Sequence, residues 1–346
     1  MNNKNFQSEI LRRVEEALNS LPKERFKNIV KRRFGLENGN RETLQAIGQN
    51  YGITRERVRQ IESDALKILT KRQNLSIFKP IFEYLDKLFE EYDYLVGEQR
   101  LLDSITNTEE SHPARSAVIM VLTLGSPYQR FAECNEFFPH WATKKSARTM
   151  VQKIVDSLVD YLKEQNRVYS SSDILDFLLS KHKNISKNAI QNALDISKNI
   201  DKNIFGELGL SHWAEINPRG VREKAYLVLR RKAKPNHFTK ITDLINEANF
   251  SNRQTFPQTV HNELIKDDRF ILIGRGTYAL REWGYEPGTV KEVIAKILSE
   301  AQKPFTKKEI ISAVLQKRQV KPNTIVINLQ NNAEFEKLEN GKFRLC

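Results

Sequence analysis

The chain has 346 residues, of which 39% are hydrophobic and 29% charged, and its formal net charge is +13. The length predicts two or three domains, or more if they are small, and the composition suits folded domains. The longest apolar run, Ala117 to Leu124, is too short to cross a bilayer, which excludes a membrane-spanning protein. Cys134 and Cys346 lie far apart without metal-ligand spacing, which excludes a disulfide framework and a zinc site.

Two amphipathic helices are predicted at the start of the chain. Residues 4–20 place Ile10, Val14 and Leu18 on one stripe. Pro22 suits the first turn of the next helix, which reads PKERFKNIVKRRFGL. Its predicted inward residues are Phe26, Ile29, Val30 and Phe34.

Residues 43–69, TLQAIGQNYGITRERVRQIESDALKIL, predict two helices joined by a tight turn. Leu44 and Ile47 share the buried face of the first helix, and Gly52 supplies the turn because glycine adopts a left-handed backbone without strain. Thr54 suits the N-cap of the second helix. The inward stripe of that helix is Val58, Ile61, Ala65 and Leu69.

Four polar side chains share the opposite face of the second helix, near its N-terminus: Arg55, Glu56, Arg59 and Gln60. In a helix-turn-helix this part of the second helix meets base edges in the major groove. Arg can pair with guanine, Gln with adenine, and Glu with the amino group of cytosine. The competing interpretation is a charged helix face that only contacts solvent.

The run RFGLENG (residues 33–39) followed by these two helices resembles region four of the bacterial primary sigma factors, over about residues 20 to 72. The resemblance implies promoter recognition together with docking on the flap of core RNA polymerase. It implies base reading by the four residues above, and phosphate contacts by Lys31, Thr54 and Arg57. Gln45 and Asp64 depart from the family pattern, and Asp64 replaces a lysine that meets activators in the family. No stretch resembles the aromatic-rich helix with which sigma factors melt DNA.

After residue 75 the sequence predicts a repeat. Trp141, Trp213 and Trp283 each close a similar phrase, and we expect them to act as core plugs between adjacent units. Residues 218–285 predict three helices and a hairpin around Gly274 and Gly276, which is a winged helix. The predicted inward residues of its third helix are Val260, Leu264 and Ile265.

The predicted fold class is therefore mainly α, with a sigma-region-four-like helix-turn-helix followed by three or four tandem winged-helix units. The predicted domains are residues 1–75 (helix-turn-helix), 76–149 (a degenerate winged helix), 150–217, 218–285 and 286–346 (winged helices). In residues 76–149 the helices are assigned to GEQRLLDSI and HPARSAVIMVLTLG.

Residues 218–285 also resemble the winged-helix family shared by the delta subunit of some bacterial RNA polymerases and by certain restriction and chromatin proteins. The residues that carry this resemblance are HF, VHNELIKDDRF and GRGTYALREWG, within residues 237–284. It implies transcription or another DNA-associated role rather than a reaction. In a winged helix the third helix faces DNA and the hairpin touches phosphates. In residues 218–285 the side chains so placed are those of Arg253, His261, Lys266 and Arg275. In residues 286–346 they are those of Lys321, Asn323 and Lys342.

Charge separates the two ends of the chain from its middle. Residues 1–75 carry a net +7 and residues 219–346 a net +10, whereas residues 76–150 and 151–218 carry −3 and −1. We therefore expect two nucleic-acid-facing ends. For the middle units, contact with protein or simple spacing is favoured over DNA contact.

No motif of catalysis, phosphate binding or metal binding is present, so the sequence predicts neither an enzyme nor a cofactor or metal. The leading hypothesis is a sigma-like, sequence-specific transcription factor that binds double-stranded DNA and core RNA polymerase. The segment MNNKNFQSEILRR lacks the apolar core of a secretory signal, so we expect a cytoplasmic, nucleoid-associated protein. An architectural or defence-associated DNA-binding protein that does not contact polymerase is the alternative, and a nuclease or its specificity subunit is a third.

Overall fold

The structure is a computed structural model that describes residues 3–106, 111–182, 185–250, 253–301 and 303–346. The chain divides into two compact units, Met1–Lys202 with Gly206–Ser211, and Asn203–Phe205 with His212–Cys346. Its helices and small sheets form a helix-turn-helix domain and then repeated winged-helix units, so the predicted fold class is confirmed. None of the helices in the described ranges is long and apolar enough to span a membrane.

Five helices form the N-terminal domain: α1 (Asn3–Asn19), α2 (Glu24–Phe34), α3 (Leu44–Tyr51), α4 (Arg55–Leu69) and α5 (Arg72–Leu75). The predicted inward stripe of α4 is buried throughout. Ile29 of α2 and Ile47 of α3 join Val58 and Ile61 in one small apolar cluster. This cluster fixes the angle between α3 and α4, because close-packed side chains leave little room for relative movement.

Each unit that follows repeats one order: a helix, a short strand, two helices and a hairpin, with the first strand paired to the last. The first unit comprises α6 (Lys79–Glu91), β1 (Leu95–Gly97), α7 (Glu98–Thr106), α8 (Pro113–Leu124), β2 (Gln129–Phe131) and β3 (His140–Ala142). The second comprises α9 (Lys145–Gln165), α10 (Ser171–Lys181), α11 (Lys187–Ile196), β4 (Ile200–Lys202) and β5 (Leu208–Leu210). Its first strand is reduced to Tyr169, which bridges to Leu208.

The third unit comprises α12 (Val221–Lys232), β6 (Asn236–His237), α13 (Phe238–Ala248), α14 (Pro257–Lys266), β7 (Phe270–Gly274) and β8 (Thr277–Leu280). The fourth comprises α15 (Val290–Ala301), β9 (Phe305–Thr306), α16 (Lys307–Lys317), α17 (Pro322–Asn331), β10 (Phe335–Lys337) and β11 (Lys342–Leu345). Gly276 and Gly341 have positive φ, which the tight turns of the two hairpins require.

The third helix of the first unit, α8, is covered by the N-terminal domain. Its residues from Ala114 to Leu122 are all buried, and α1 and α2 pack against it. The stripe of α1, including Phe6, Ile10 and Val14, joins α8 in a single apolar cluster. A helix that is apolar all round must be buried on all sides, and α1 supplies the missing cover.

The third helix of the second unit, α11, is also covered, because it packs against β1 of the first unit. Asn192 of α11 donates to the carbonyl of Tyr92 at 2.7 Å. Arg100 of α7 bonds to Asn192 at 3.1 Å and forms an ion pair with Asp195 at 2.7 Å. Both third helices in the middle of the chain thus form internal contacts, where a DNA-reading helix would be exposed.

One buried cluster runs from Phe6 through Leu69 to Trp141, and so crosses residue 75, where the sequence predicts a domain boundary. The predicted boundaries stay predictions. The first unit also contains α6, Lys79–Glu91, which was not assigned from the sequence. Ile81, Leu85 and Phe89 of α6 are buried in the same cluster at helical spacing.

The three repeated tryptophans differ in burial. Trp141 is 1% exposed, whereas Trp213 and Trp283 are only partly buried. The indole of Trp141 donates to the carboxylate of Glu98 at 2.9 Å, and Arg130 donates to the same carboxylate at 2.6 and 2.8 Å. Only Trp141 therefore has the burial expected of a core plug.

The Glu98 carboxylate makes stability sensitive to acid. Burial alone would raise the pKa of Glu98. The hydrogen bonds and charge of Arg130, together with the hydrogen bond from Trp141, lower it by a larger amount, so the pKa lies below its ordinary value. A depressed carboxyl pKa stabilises the fold above the unfolded value of about 4.3 and loses this contribution as pH falls through the folded value. We expect Glu98→Gln to be less stable at pH 7, and to lose less stability on acidification. Denaturant midpoints at pH 7 and at a pH below the unfolded pKa measure this difference. Glu83→Gln, at an exposed position, is the control.

Candidate nucleic-acid interface

Side-chain caps and a close helix contact shape the helix-turn-helix. The Thr43 hydroxyl accepts a hydrogen bond from the Ala46 amide at 3.1 Å, and the Thr54 hydroxyl accepts one from the Arg57 amide at 3.2 Å. These caps begin α3 and α4 at defined residues. Gly52 adopts a φ of 62°, as the turn requires.

Gly48 is a second glycine on which the motif depends, and the sequence interpretation missed it. A Cβ at this position would lie 2.7 Å from the carbonyl oxygen of Ile53. The turn therefore passes too close to α3 for any larger residue. The spacing of four residues between Gly48 and Gly52 is a signal that could have identified it.

All four predicted base-reading residues lie together on the exposed face of α4. Glu56 and Arg59 form an ion pair through two hydrogen bonds of 2.7 and 2.8 Å. The side chains of both are more than half exposed. Hydrogen bonding to Arg59 lowers the pKa of Glu56, and the same contact raises the pKa of Arg59. Both groups therefore stay charged across the physiological range.

A second pair lies beside the first, because Arg57 donates to the side-chain oxygen of Gln60 at 3.1 Å. The two arginines are thus held by neighbours one helical turn away, at the start of α4. Exposed pairs of this kind are weak and are screened by salt. A nucleic acid can therefore break these side-chain pairs at a small cost in free energy. The side chains already point out from the helix before it binds.

The three residues predicted to contact phosphates differ in their exposure and in the groups they already bind. Arg57 is exposed at the start of α4, and the Thr54 hydroxyl is occupied as the helix cap. Lys31 forms an ion pair with Glu15 at 2.9 Å, and its side chain is only 19% exposed. Lys27 shares the same carboxylate at 2.7 Å. Contact of Lys31 with DNA would require it to leave Glu15, and its role stays a prediction.

In the third winged-helix unit the candidate residues do not form one surface on α14. His261 is half-buried and packs against Phe238, with 4.7 Å between the ring centroids and the rings tilted by 39°. Lys266 pairs with Glu263 at 3.3 Å, whereas Arg275 is exposed at the hairpin turn. Ile265, predicted to point inward, is 64% exposed, because α14 turns only Val260 and Leu264 toward the core.

In the fourth unit Lys321 and Asn323 lie together at the exposed start of α17, and Lys342 is half-buried on the hairpin. The sequence of α17, PNTIVINLQN, contains no charged residue, and Ile327 on it is 53% exposed. Positive charge in this unit lies instead on α15, on α16 and the loops on either side of it, and on the hairpin. The third helix alone therefore offers little attraction for phosphates.

No cluster of three or more His, Cys, Asp or Glu that could hold a metal ion occurs within the described ranges. The cysteines Cys134 and Cys346 are free and exposed.

Comparison with known proteins identifies three matching stretches. Residues 17–71 match the family model for Sigma-70, region 4. Residues 220–283 match the HARE-HTH family model, a helix-turn-helix domain named in part for ASXL and restriction endonuclease proteins. Residues 156–209 match the TBPIP/Hop2 winged helix domain. Both resemblances stated from the sequence are thereby confirmed. For the second unit the sequence predicted a winged helix, but it did not indicate this particular family.

Two curated relatives match the N-terminal stretch. RNA polymerase sigma factor SigA of Bacillus sp is 46% identical over 56 residues, which is 16% of this chain and 15% of that protein. RNA polymerase sigma factor SigA of Nostoc sp. is 43% identical over 67 residues, 19% of this chain and 17% of that protein. The chain spans about a sixth of the length of these relatives. The matched domains support DNA binding.

Proposed function

We propose that this chain is a non-enzymatic, sequence-specific DNA-binding protein that acts in transcription initiation or its regulation, together with core RNA polymerase. The observation that carries the proposal is the capped, exposed N-terminus of α4, where Arg55, Glu56, Arg59 and Gln60 lie side by side. It lies within residues 17–71, which match the family model for Sigma-70, region 4.

The geometry favours major-groove readout over a merely solvated face. The positive end of the α4 dipole and the exposed Arg55 and Arg57 attract the phosphate backbone. Arg59 and Gln60 then lie one turn into the helix, at the depth where side chains reach base edges. The apolar cluster beneath them holds α4 in position, so that binding does not have to order the helix.

Contact with polymerase is the second part of the proposal, and it rests on the similarity to sigma factors. The apolar stripe of α1 is covered by α8, so polymerase would have to bind other surfaces of the N-terminal domain. The flap remains the expected docking point. The covered third helices α8 and α11 leave the middle units as a spacer or as a surface for protein.

The alternative, an architectural or defence-associated DNA-binding protein, is favoured by one specific observation. Only about a sixth of each sigma relative is matched, while later stretches match winged helices of other descriptions. Such a protein would use the same α4 face and would not bind polymerase.

Affinity purification of the tagged full chain from its own host, with nuclease added, separates these two functions. We expect core polymerase subunits to co-purify in near-stoichiometric amount, and to do so equally with Arg59→Ala, because nuclease removes contacts bridged by DNA. Absence of polymerase from a chain that still binds duplex DNA in vitro would contradict the sigma-like role and favour the alternative.

A further inference from the structure

The third winged-helix unit contains a groove between the C-terminal part of α13 and the start of α14. It consists of two adjoining hollows of about 300 and 460 Å³, within the range of small-ligand sites. Asn246 holds its floor in place, because its side chain exchanges two hydrogen bonds, of 3.0 and 2.8 Å, with the backbone of Thr255. These two bonds hold Thr255 against α13.

The groove is lined by positive charge. Arg219, Lys224 and Arg253 contribute cationic side chains to its walls. Among the described residues that line the two hollows, none is acidic. Its neutral polar groups are those of Asn246, Asn249, Gln254, Thr255 and Thr259. This lining favours an anionic ligand that also accepts and donates hydrogen bonds.

Two aromatic rings lie among these cations. Phe256, directly before α14, is 64% exposed and forms part of the wall. Phe250 is half-buried, and the Lys224 ammonium lies 6.0 Å from its ring centroid. An exposed phenylalanine beside arginine and lysine matches the way proteins bind unpaired nucleotides, with bases stacked on rings and phosphates on cations.

We propose that this groove binds one or two unpaired nucleotides of single-stranded DNA, with a base stacked on Phe256 and the phosphates on Arg219, Lys224 and Arg253. The site uses other residues than the duplex-reading face of α4, and Thr259 is the residue of α14 that lines it. It adds single-strand capture to a chain proposed to work on duplex DNA. The inference does not depend on polymerase binding.

The test uses the full chain and a fluorescently labelled single-stranded DNA of about 12 nucleotides, with anisotropy read at moderate salt. We expect Phe256→Ala to weaken binding roughly ten-fold, since stacking on an aromatic ring contributes about that much per base. Phe256→Tyr should retain the affinity, because it keeps the ring. Phe256→Leu should lose it, because leucine keeps apolar area without a stacking face.

Charge and stacking are checked separately. Arg253→Gln should weaken single-strand binding more than Lys153→Gln, which removes the same charge from the exposed face of α9. In Phe256→Trp, addition of the oligonucleotide should quench tryptophan fluorescence beyond the quenching in the parent chain. Because Phe256 is largely exposed, these variants should melt at the temperature of the parent chain.

Two outcomes would overturn the proposal. One is unchanged single-strand affinity in both Phe256→Ala and Phe256→Leu. The other is a polyglutamate peptide that binds the groove as tightly as DNA and is weakened equally by Phe256→Ala, which would make the ligand an acidic protein segment. Failure of duplex readout gives a different pattern, because Arg59→Ala then leaves the preference among duplex sequences unchanged, whatever happens at Phe256.

Discussion

Arg59→Ala is expected to weaken binding to a preferred duplex by about 1–3 kcal/mol, and to relax the choice of base at the position that Arg59 contacts. In the free protein the Arg59 guanidinium is held by Glu56 through two hydrogen bonds, with both side chains more than half exposed. Its planar fork is thus extended before DNA arrives, which suits a bidentate contact with guanine. Selection of preferred sites from random duplexes, followed by affinity measurements on matched and single-mismatch sites, tests the expectation.

The matched control for Arg59 is Lys67→Ala. Lys67 lies on the same helix and pairs with Asp64 three residues earlier, at 3.6 Å, with both side chains exposed. Lys67→Ala removes the same charge two turns farther from the N-terminus of α4. There we expect little effect on the preference among DNA sequences. A loss in Arg59→Ala that is equal on all sequences would rule out base readout and assign Arg59 to a phosphate.

Trp141→Ala is expected to reduce the free energy of unfolding of the unit that contains it by about 3–5 kcal/mol. The ring is 1% exposed in the cluster that joins α1, α6 and α8, so its removal leaves a large cavity. It also removes the indole hydrogen bond to Glu98, whose carboxylate then relies on Arg130. Denaturant unfolding followed by circular dichroism measures the change.

Trp283→Ala provides the comparison, since the sequence repeat places Trp283 at the equivalent point of the third winged-helix unit. That ring is only partly buried and packs at the edge of its core. Its replacement should therefore cost clearly less than that of Trp141. Equal losses at both positions would contradict the conclusion that only Trp141 completes a core.

The features predicted most reliably from the sequence are those set by neighbours along the chain. Thr54 caps α4, Gly52 forms the turn before it, and the spacing of Val58 and Ile61 orients α4 toward its core, as predicted. All of these depend on contacts within a few residues. The exposed face of α4, and with it the candidate site, was predictable for the same reason.

The sequence did not indicate which elements distant along the chain pack against one another. The stripe of α1 predicted a buried face, but periodicity does not identify α8 as its partner. Ile265 was predicted to be inward because it follows Leu264 in an apolar run, yet a helix as short as α14 can turn only one narrow stripe to its core. The groove at Phe256 likewise joins residues from three segments.

The repeat pattern in the sequence also does not reveal that the third helices of the four units differ in exposure. The third helices α8, α11, α14 and α17 occupy equivalent positions, but α8 is buried along most of its length and α11 packs against β1 of the first unit, whereas α14 and α17 have exposed outer faces. The distinction follows from composition: the run AVIMVLTL in α8 is apolar on every side, whereas α17 alternates apolar and amide side chains. The same fold thus leaves its third helix exposed to solvent in the fourth unit, and in the first unit it buries that helix against the N-terminal domain.

The packing of α1 on α8 has a consequence for dissecting and recombining this protein. A shortened chain that begins at residue 76 would uncover the part of α8 against which α1 and α2 pack, and exposed apolar patches of this kind cause aggregation. The helix-turn-helix expressed alone would uncover the matching stripe of α1. Although the sequence resembles a string of interchangeable modules, the N-terminal domain and the first winged-helix unit share one apolar cluster. We therefore expect recombination to transfer them in working form only together.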